Sequence, residues 1–348
     1  MHLISAVDSV SPAIERTKDL LFRPFKWGSF LKLGLVAIVT EGIGNNSHSG
    51  SHGGHGTGPG AGGFPAFHPT PEVIAAVVAA LLLAFVLAMA VFYLITRLRF
   101  AFFHCLIHNT REIGPGWRQY GTQATRFFWL NVVVGFCFAL LLILVALPFA
   151  AGFWHLFQES QQGGSLNVGL LISLVLPLIP IILLLVLAGI AVDLVLRDGM
   201  MPHYALEDAS AGEAWRQVKS RILAEKRQFL VYAVLRVILP TIAMIGIFFV
   251  LLLPGLGVAA AFAAIELGLH SMFADASGTS VVVGILLQVF FGVIAFGILL
   301  LASICLGGPV STAIREYALV FYGGRYQTLG EILSSSQTPA PSDVPGMA

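Results

Sequence analysis

Long runs without charged side chains are the feature that most constrains the fold of this chain. Val73 to Thr96 and Phe127 to Gln158 contain no Asp, Glu, Lys or Arg, and each exceeds the roughly 20 apolar residues that cross a bilayer. Only 11% of the 348 residues are charged and 57% are hydrophobic, which leaves too few charges to cover a soluble globule. The sequence therefore predicts an all-α, polytopic membrane protein.

Six membrane spans are predicted when the apolar runs are divided at turn residues. They cover about 26 to 43, 73 to 96, 127 to 150, 168 to 196, 228 to 253 and 281 to 304. The first is short and contains Lys32 and Glu41, so we expect these two side chains at opposite interfaces.

Segments with other properties surround this six-span domain, which is assigned to residues 26 to 333. The sequence predicts an amphipathic surface helix over 1 to 25, a flexible His- and Gly-rich external loop over 42 to 71, amphipathic cytoplasmic segments over 109 to 126 and 207 to 227, and a disordered tail over 334 to 348.

Basic residues are confined to one set of connections. Segments 1 to 32, 97 to 126, 197 to 236 and 315 to 348 hold all 19 Lys and Arg residues. The alternate segments 41 to 72, 151 to 167 and 254 to 280 hold none. The positive-inside rule then places the N- and C-termini in the cytoplasm, and six crossings agree with that. We expect a multi-pass protein of the bacterial inner (plasma) membrane.

A short motif recurs before two outgoing spans. Trp117-Arg118-Gln119 precedes the third span, Trp215-Arg216-Gln217 precedes the fifth, and Phe25-Lys26-Trp27 resembles a degraded third copy before the first. This pattern indicates three parallel helical-hairpin repeats. The alternative is that Trp and Arg recur only because both are favoured at membrane interfaces.

Five short stretches of the sequence resemble those of a known group of proteins. They are Asp193 to Pro202, Ala214 to Arg216, Phe229 to Tyr232, Gly307 to Val310 and Ala318 to Tyr322. The group consists of uncharacterised multi-pass prokaryotic membrane proteins, and the resemblance covers residue 1 to about 333. Those proteins are similar to the membrane domain of glycerophosphoryl diester phosphodiesterases. The resemblance implies a helical membrane module and brings no catalytic residues.

Charged and proline residues inside the predicted spans are candidates for function. Asp193 lies about one turn inside the fourth span and Arg236 lies within the fifth. Because unpaired charges are costly in hydrocarbon, we expect a direct pair between them, with a structural role favoured over a gate or proton relay. Pro177, Pro180 and Pro240 predict helix breaks, which line substrate sites in many transporters. A plain kink is the alternative.

Two further clusters predict ligand binding. His48, His52, His55 and His68 stand in the Gly- and Ser-rich loop, where a disordered loop is favoured over weak capture of Zn, Ni or Cu. The helix predicted over 211 to 227 is basic and amphipathic, and we expect it to bind anionic lipid headgroups. Its cations are Arg216, Lys219, Arg221, Lys226 and Arg227.

Enzyme signatures are absent from the sequence. It lacks the Gly-x-Ser-x-Gly, His-Glu-x-x-His and phosphate-loop motifs, so we expect no enzyme, no catalytic residue and no cofactor. The balance of 19 basic and 18 acidic residues argues against nucleic-acid binding. The favoured hypothesis is a non-enzymatic membrane module that organises lipid, a partner protein or a second copy of itself. The alternative is a transporter or channel for a small solute or ion that uses the Pro-containing fourth and fifth spans.

Overall fold

A computed structural model describes residues 4–42, 71–161, 168–273 and 279–336 of the chain. Within these ranges all regular secondary structure is helical. The helices are α1 (Val10–Phe22), α2 (Trp27–Ala37, continued by a π-helical turn Ile38–Gly42), α3 (Pro71–Ile107), α4 (Ile113–Gln119), α5 (Gly121–Gln161), α6 (Val168–Leu194, continued by a π-helical turn Val195–Met200), α7 (Met201–Glu207), α8 (Ala211–Ala224), α9 (Lys226–Phe273), α10 (Thr279–Gly323) and α11 (Gln327–Ser335).

Five of the described helical segments are long and apolar enough to cross a membrane. They are Pro71–Ile107, Gly121–Gln158, Val168–Glu207, Lys226–Gly268 and Val282–Gly323, and their most apolar windows have mean hydropathies of 2.6 to 3.1. These segments contain the predicted second to fifth spans and all of the predicted sixth span except residue 281. A multi-pass helical membrane protein is therefore the architecture.

The predicted first span, 26 to 43, is not among these five segments. Its helix α2 has 11 residues and the π-helical turn after it has 5. At 1.5 Å per residue they rise about 24 Å, which is less than the roughly 30 Å of a hydrocarbon core. The structure therefore does not confirm a sixth span.

Helices α3 and α10 are exposed along their apolar middle and buried near their C-terminal end. Leu83 in α3 and Phe296 in α10 are 72% and 67% exposed, as expected of side chains that face lipid. Most buried side chains of these two helices lie near the end, such as Phe100 to Phe103 in α3 and Tyr317 to Tyr322 in α10. Each of the two helices thus combines an exposed apolar stretch with a packed end.

The chain forms two compact units. Unit 1 contains Met1–Ile43, Phe102–Ile113 and Lys219–Ala348. In it the start of α9 packs on the end of α10, where the rings of Tyr232 and Phe321 are stacked with centroids 4.2 Å apart. Unit 2 contains Gly44–Ala101 and Gly114–Val218. Its core includes Phe127, whose ring meets those of Phe100 and Tyr204 at 5.6 and 5.4 Å.

Helix α2 packs on the C-terminal part of α10 in unit 1. A Cβ atom on Gly308 would lie 2.6 Å from the Cα of Gly34, so the two backbones touch at a pair of glycines. Seven residues further along both helices, Glu41 comes within 3.9 Å of Arg315. The two helices therefore run in the same direction. An outgoing first span beside an incoming last span would run in opposite directions, so α2 departs from that prediction.

Helix α1 forms where the amphipathic pattern predicts a helix, but its apolar face is covered by protein. Ala13, Leu20 and Leu21 are each about 1% exposed, and α1 packs on α10. The pattern that predicted contact with a membrane surface instead serves packing within unit 1. The predicted flexible loop lies almost entirely outside the described residues, and the predicted tail overlaps α11, which ends at Ser335.

The repeated tripeptides occupy similar places in two of their three copies. Trp117 lies in the short helix α4 and Trp215 in α8, and each of these helices directly precedes a membrane-length helix. Trp27 instead begins α2, which is not membrane-length. The threefold repeat stays a prediction.

Candidate functional site

Arg236 forms a buried ion pair with Glu41 in unit 1. Nη2 of Arg236 is 3.0 Å from Oε2 of Glu41, and their side chains are only 12% and 8% exposed. Nε of Arg315 lies 3.9 Å from the other oxygen of the same carboxylate. Glu41 therefore interacts with two cations, one from α9 and one from α10. These contacts hold the π-helical turn after α2 against both helices.

The predicted direct pair between Asp193 and Arg236 is corrected by these contacts. Oδ2 of Asp193 accepts a hydrogen bond from Nη1 of Arg197 at 3.2 Å, one helical turn later in the chain. Side chains at i and i+4 share a helix face, so Asp193 and Arg197 can meet without bringing distant parts of the chain together. The partner of Arg236 is Glu41, although the sequence predicts Glu41 at the interface opposite to Lys32.

A second buried ion pair joins both terminal parts of the chain. Nε of Arg16 is 3.0 Å from Oε2 of Glu316, and the two side chains are 7% and 2% exposed. The same guanidinium donates to the backbone oxygens of Leu106 and Leu333, each at 3.0 Å. One side chain of α1 thus holds together the ends of α3 and α10 and the last helix, α11.

Sequence reasoning did not select Arg16 or Glu316, although one signal was present. Arg16 lies in the middle of the stripe formed by Ala13, Thr17 and Leu20, which recur at helical spacing. A cation on the apolar face of a helix needs an acidic or backbone partner once that face is buried. The pattern therefore predicts that Arg16 is paired, but it does not name the partner, which is 300 residues away.

Arg111 holds the corner between α1 and α2. It follows the end of α3 and donates to the backbone oxygens of Asp19 at 3.3 Å, Leu20 at 2.7 Å and Pro24. The last carbonyls of a helix lack intrahelical partners, and a basic side chain can satisfy them. The C-terminal end of α1 is therefore fixed to the segment that follows a membrane-length helix.

Four of the five cations predicted to meet lipid headgroups are exposed. They are Arg216, Lys219, Lys226 and Arg227. Arg216 interacts electrostatically with Glu213, whereas the other three form no ion pair with another described residue. Trp215, Leu223 and Leu230 are also exposed, at 46%, 53% and 66%. The outer side of α8 and of the first turn of α9 thus combines cations with large apolar groups.

Arg221 departs from the prediction, because its side chain turns inward. Nη1 donates to the hydroxyl of Tyr322 at 3.1 Å, and the guanidinium lies 5.0 Å from the ring centre of Tyr326. Arg221 follows the buried Ala214 and Val218 at helical spacing, so it shares the inner face of α8. It belongs to the core of unit 1 and not to the basic surface.

The start of α8 is fixed by a reciprocal cap. Oγ and the backbone N–H of Ser210 donate to Glu213 at 2.8 and 3.0 Å, and the N–H of Glu213 lies 3.4 Å from Oγ of Ser210. This is the capping-box arrangement. These hydrogen bonds hold the pKa of Glu213 below its usual value. The cap orients the helix that carries the basic surface.

The prolines predicted to break the fourth and fifth spans lie inside continuous helices. Helix α6 runs through Pro177 and Pro180, and α9 runs through Pro240. Proline removes one backbone donor, but the hydrogen bonds on either side preserve the helix. The helices are therefore continuous at these three prolines, where the sequence predicted breaks. The transporter alternative stays a prediction.

The predicted metal ligands His48, His52, His55 and His68 lie outside the described residues. Among the residues that the structure describes, no group of three or more His, Cys, Asp or Glu side chains is arranged to hold a metal ion.

Comparison with known proteins gives one match. The model of a family of unknown function (DUF7544) matches residues 4–332. The chain belongs to this family. The matched region contains every described helix except the last residues of α11, so both buried ion pairs of this family member lie within it. No curated protein and no solved structure matches the chain. The resemblance to the membrane domain of glycerophosphoryl diester phosphodiesterases stays a prediction.

Proposed function

We propose that this protein is a non-enzymatic membrane module that gathers anionic phospholipid at the basic surface formed by the end of α8 and the start of α9. One observation carries the proposal: Lys219, Lys226 and Arg227 are exposed cations without an ion pair among the described residues. They lie directly before the apolar stretch of a membrane-length helix. A cation at that position meets the headgroup layer.

The magnitude of the expected preference follows from the number of cations. Each basic group near an anionic leaflet contributes about 1 kcal/mol, so three contribute at most about 3 kcal/mol. Since 1.4 kcal/mol corresponds to a tenfold change in an equilibrium constant, the surface would favour anionic over zwitterionic lipid by up to about a hundredfold at low salt. Salt screens exposed charges, so the preference should fall as ionic strength rises.

The exposed apolar groups support the same role. Leu223 and Leu230 stand among the cations, and both are more than half exposed. Basic groups beside apolar ones are typical of helices that lie in a membrane interface, where the cations meet phosphates and the apolar groups enter the acyl boundary. A surface for an acidic soluble partner would not need these leucines.

We also propose that the chain crosses the bacterial inner membrane six times and that its termini are cytoplasmic. Arg16 binds the end of α3 and the last helix, α11, which supports both terminal helices on one side and hence an even number of crossings. Cysteine labelling from each side of the membrane, at Ser11 and Ser335, tests this: opposite accessibility contradicts it.

Lipid identification tests the proposed binding. The protein is reconstituted in nanodiscs that contain equal amounts of phosphatidylglycerol and phosphatidylcholine, and the lipids that stay bound after gentle extraction are counted by native mass spectrometry. We expect phosphatidylglycerol to be enriched on the wild type and the enrichment to be lost in the variant K219Q/K226Q/R227Q.

A matched control removes three exposed cations from other places. The variant K18Q/K32Q/R118Q has the same change in net charge, and its three side chains are also exposed. It should retain the enrichment. Equal lipid profiles in the two variants would contradict the proposal, and so would solute-dependent flux through proteoliposomes, which favours the transporter.

A further inference from the structure

We propose that the α1–α2 corner, residues 22 to 27, is a second membrane contact that inserts into the interfacial layer of a phospholipid leaflet. This inference shares with the proposed function only the kind of ligand, a phospholipid. It is supported by a separate observation: Phe22, Phe25 and Trp27 are 43%, 45% and 61% exposed on one short turn.

The exposed rings form one cluster on a buried base. The centroid of the Phe25 ring is 6.2 Å from that of Phe22 and 5.1 Å from that of Trp27. Below them, the ring of Phe30 is 5% exposed and lies 5.5 to 6.1 Å from all three. The corner is therefore an ordered apolar projection and not a set of unrelated surface side chains.

Cations flank the same rings. Arg23 and Lys26 are exposed. Among the described residues, Arg23 pairs with Asp19 at 3.1 Å, and such an exposed pair contributes little in water. Tryptophan is enriched where a protein passes through the headgroup layer, and nearby cations attract anionic headgroups. The combination fits a lipid surface better than the interior of a protein interface, whose centre is depleted of lysine.

Two attachments place the corner close to membrane-length helices. Arg111, which binds the backbone of Pro24, lies four residues after the end of α3. On the other side, Gly34 of α2 packs against Gly308 of α10. Both α3 and α10 are long and apolar enough to cross a membrane. The corner is thus tethered to the segment after one membrane-length helix and packed beside another.

Depth-dependent fluorescence quenching tests the insertion. Trp117, Trp129, Trp154 and Trp215 are replaced by Phe so that Trp27 alone reports, and the protein is reconstituted in nanodiscs of zwitterionic phosphatidylcholine. The acyl chains carry bromine either close to the glycerol or close to the terminal methyl group. We expect a loss of Trp27 emission that is larger with bromine close to the glycerol.

Two controls keep the result interpretable. A protein that retains only Trp129, which is 59% exposed on the membrane-length helix α5, must be quenched by the brominated lipids. If the fourfold replacement reduces folding, the difference in emission between wild type and Trp27→Phe gives the same measurement on a protein changed at one exposed residue.

The outcomes distinguish the corner from the basic surface. Quenching of Trp27 by aqueous acrylamide but not by brominated lipid overturns the inference, as does stronger quenching from the terminal methyl end, which would put the corner in the hydrocarbon core. Protection from both quenchers also overturns it and indicates a protein partner or a second copy. None of these results changes the lipid enrichment of K219Q/K226Q/R227Q, which tests the proposed function alone.

Discussion

Replacing Arg16 by Met should cost more stability than any other removal of a single cation from α1. The guanidinium has four partners, the carboxylate of Glu316, the carbonyls of Leu106 and Leu333 and the hydroxyl of Ser336. Methionine keeps the apolar stem and loses all four contacts, although the Leu333 carbonyl still accepts a hydrogen bond from the Ser336 hydroxyl. The Glu316 side chain is only 2% exposed, so water does not readily replace the lost charge.

The magnitude follows from the burial. Removing one partner of a buried ion pair costs about 3–5 kcal/mol. The lost hydrogen bonds to the carbonyls are included in that range, because the contributions of contacts within one network do not simply add. Since whole domains are stable by about 5–15 kcal/mol, we expect Arg16→Met to lose a large share of the stability of unit 1.

Unfolding in a mild detergent, followed by circular dichroism, measures the loss. The matched control is Arg23→Met, which breaks the exposed pair with Asp19 and should change stability by about 0–1 kcal/mol. The double variant R16M/E316M removes the orphaned carboxylate and should recover part of the loss. If Arg16→Met is no more harmful than Arg23→Met, the assigned role of the buried pair is wrong.

Three further predictions concern single positions. Gly308→Ala places a Cβ atom 2.6 Å from the backbone of α2 and should destabilise the protein by about 1–3 kcal/mol, whereas Gly292→Ala meets nothing within 4 Å and should be neutral or slightly stabilising in a melting experiment. Glu41→Gln leaves two buried guanidiniums without their shared counter-charge and should lower the unfolding midpoint in the same assay; an unchanged midpoint would show that the carboxylate is not needed. Because the pKa of Glu213 is lowered by Ser210, the cap should stabilise α8 above the usual pKa of Glu and stop doing so as the pH falls through the lowered value. Ser210→Ala should therefore reduce helicity at neutral pH and not at strongly acidic pH, as circular dichroism would show.

The helical membrane architecture was predictable because it depends on length and composition. A run of about 20 apolar residues is most simply explained as a helix that crosses a membrane. Five such runs form membrane-length helices in the structure. The first predicted span shows the limit of this reasoning. Its residues are apolar, yet Gly34 packs on Gly308, and composition does not distinguish a helix that packs on another helix from one that packs on lipid.

The candidate site was less predictable because its contacts join distant parts of the chain. Periodicity identifies the face on which Arg16 or Arg221 lies, but not the partner that meets that face. For Arg236 the nearest acid on a neighbouring predicted span was Asp193, whereas the actual partner, Glu41, is 195 residues away. The exposed cations of α8 were easier to predict. Their exposure depends only on where the helix lies and which of its faces is buried, and it requires no knowledge of a distant partner.

The contact between Arg16 and Glu316 also has a consequence for biosynthesis. The two residues are 300 positions apart, and ribosomes add about 5–20 residues per second, so α1 waits roughly 15 to 60 seconds before the docking surface on α10 has been made. During that interval its apolar stripe is uncovered, which makes early chains a natural substrate for chaperones or the insertion machinery.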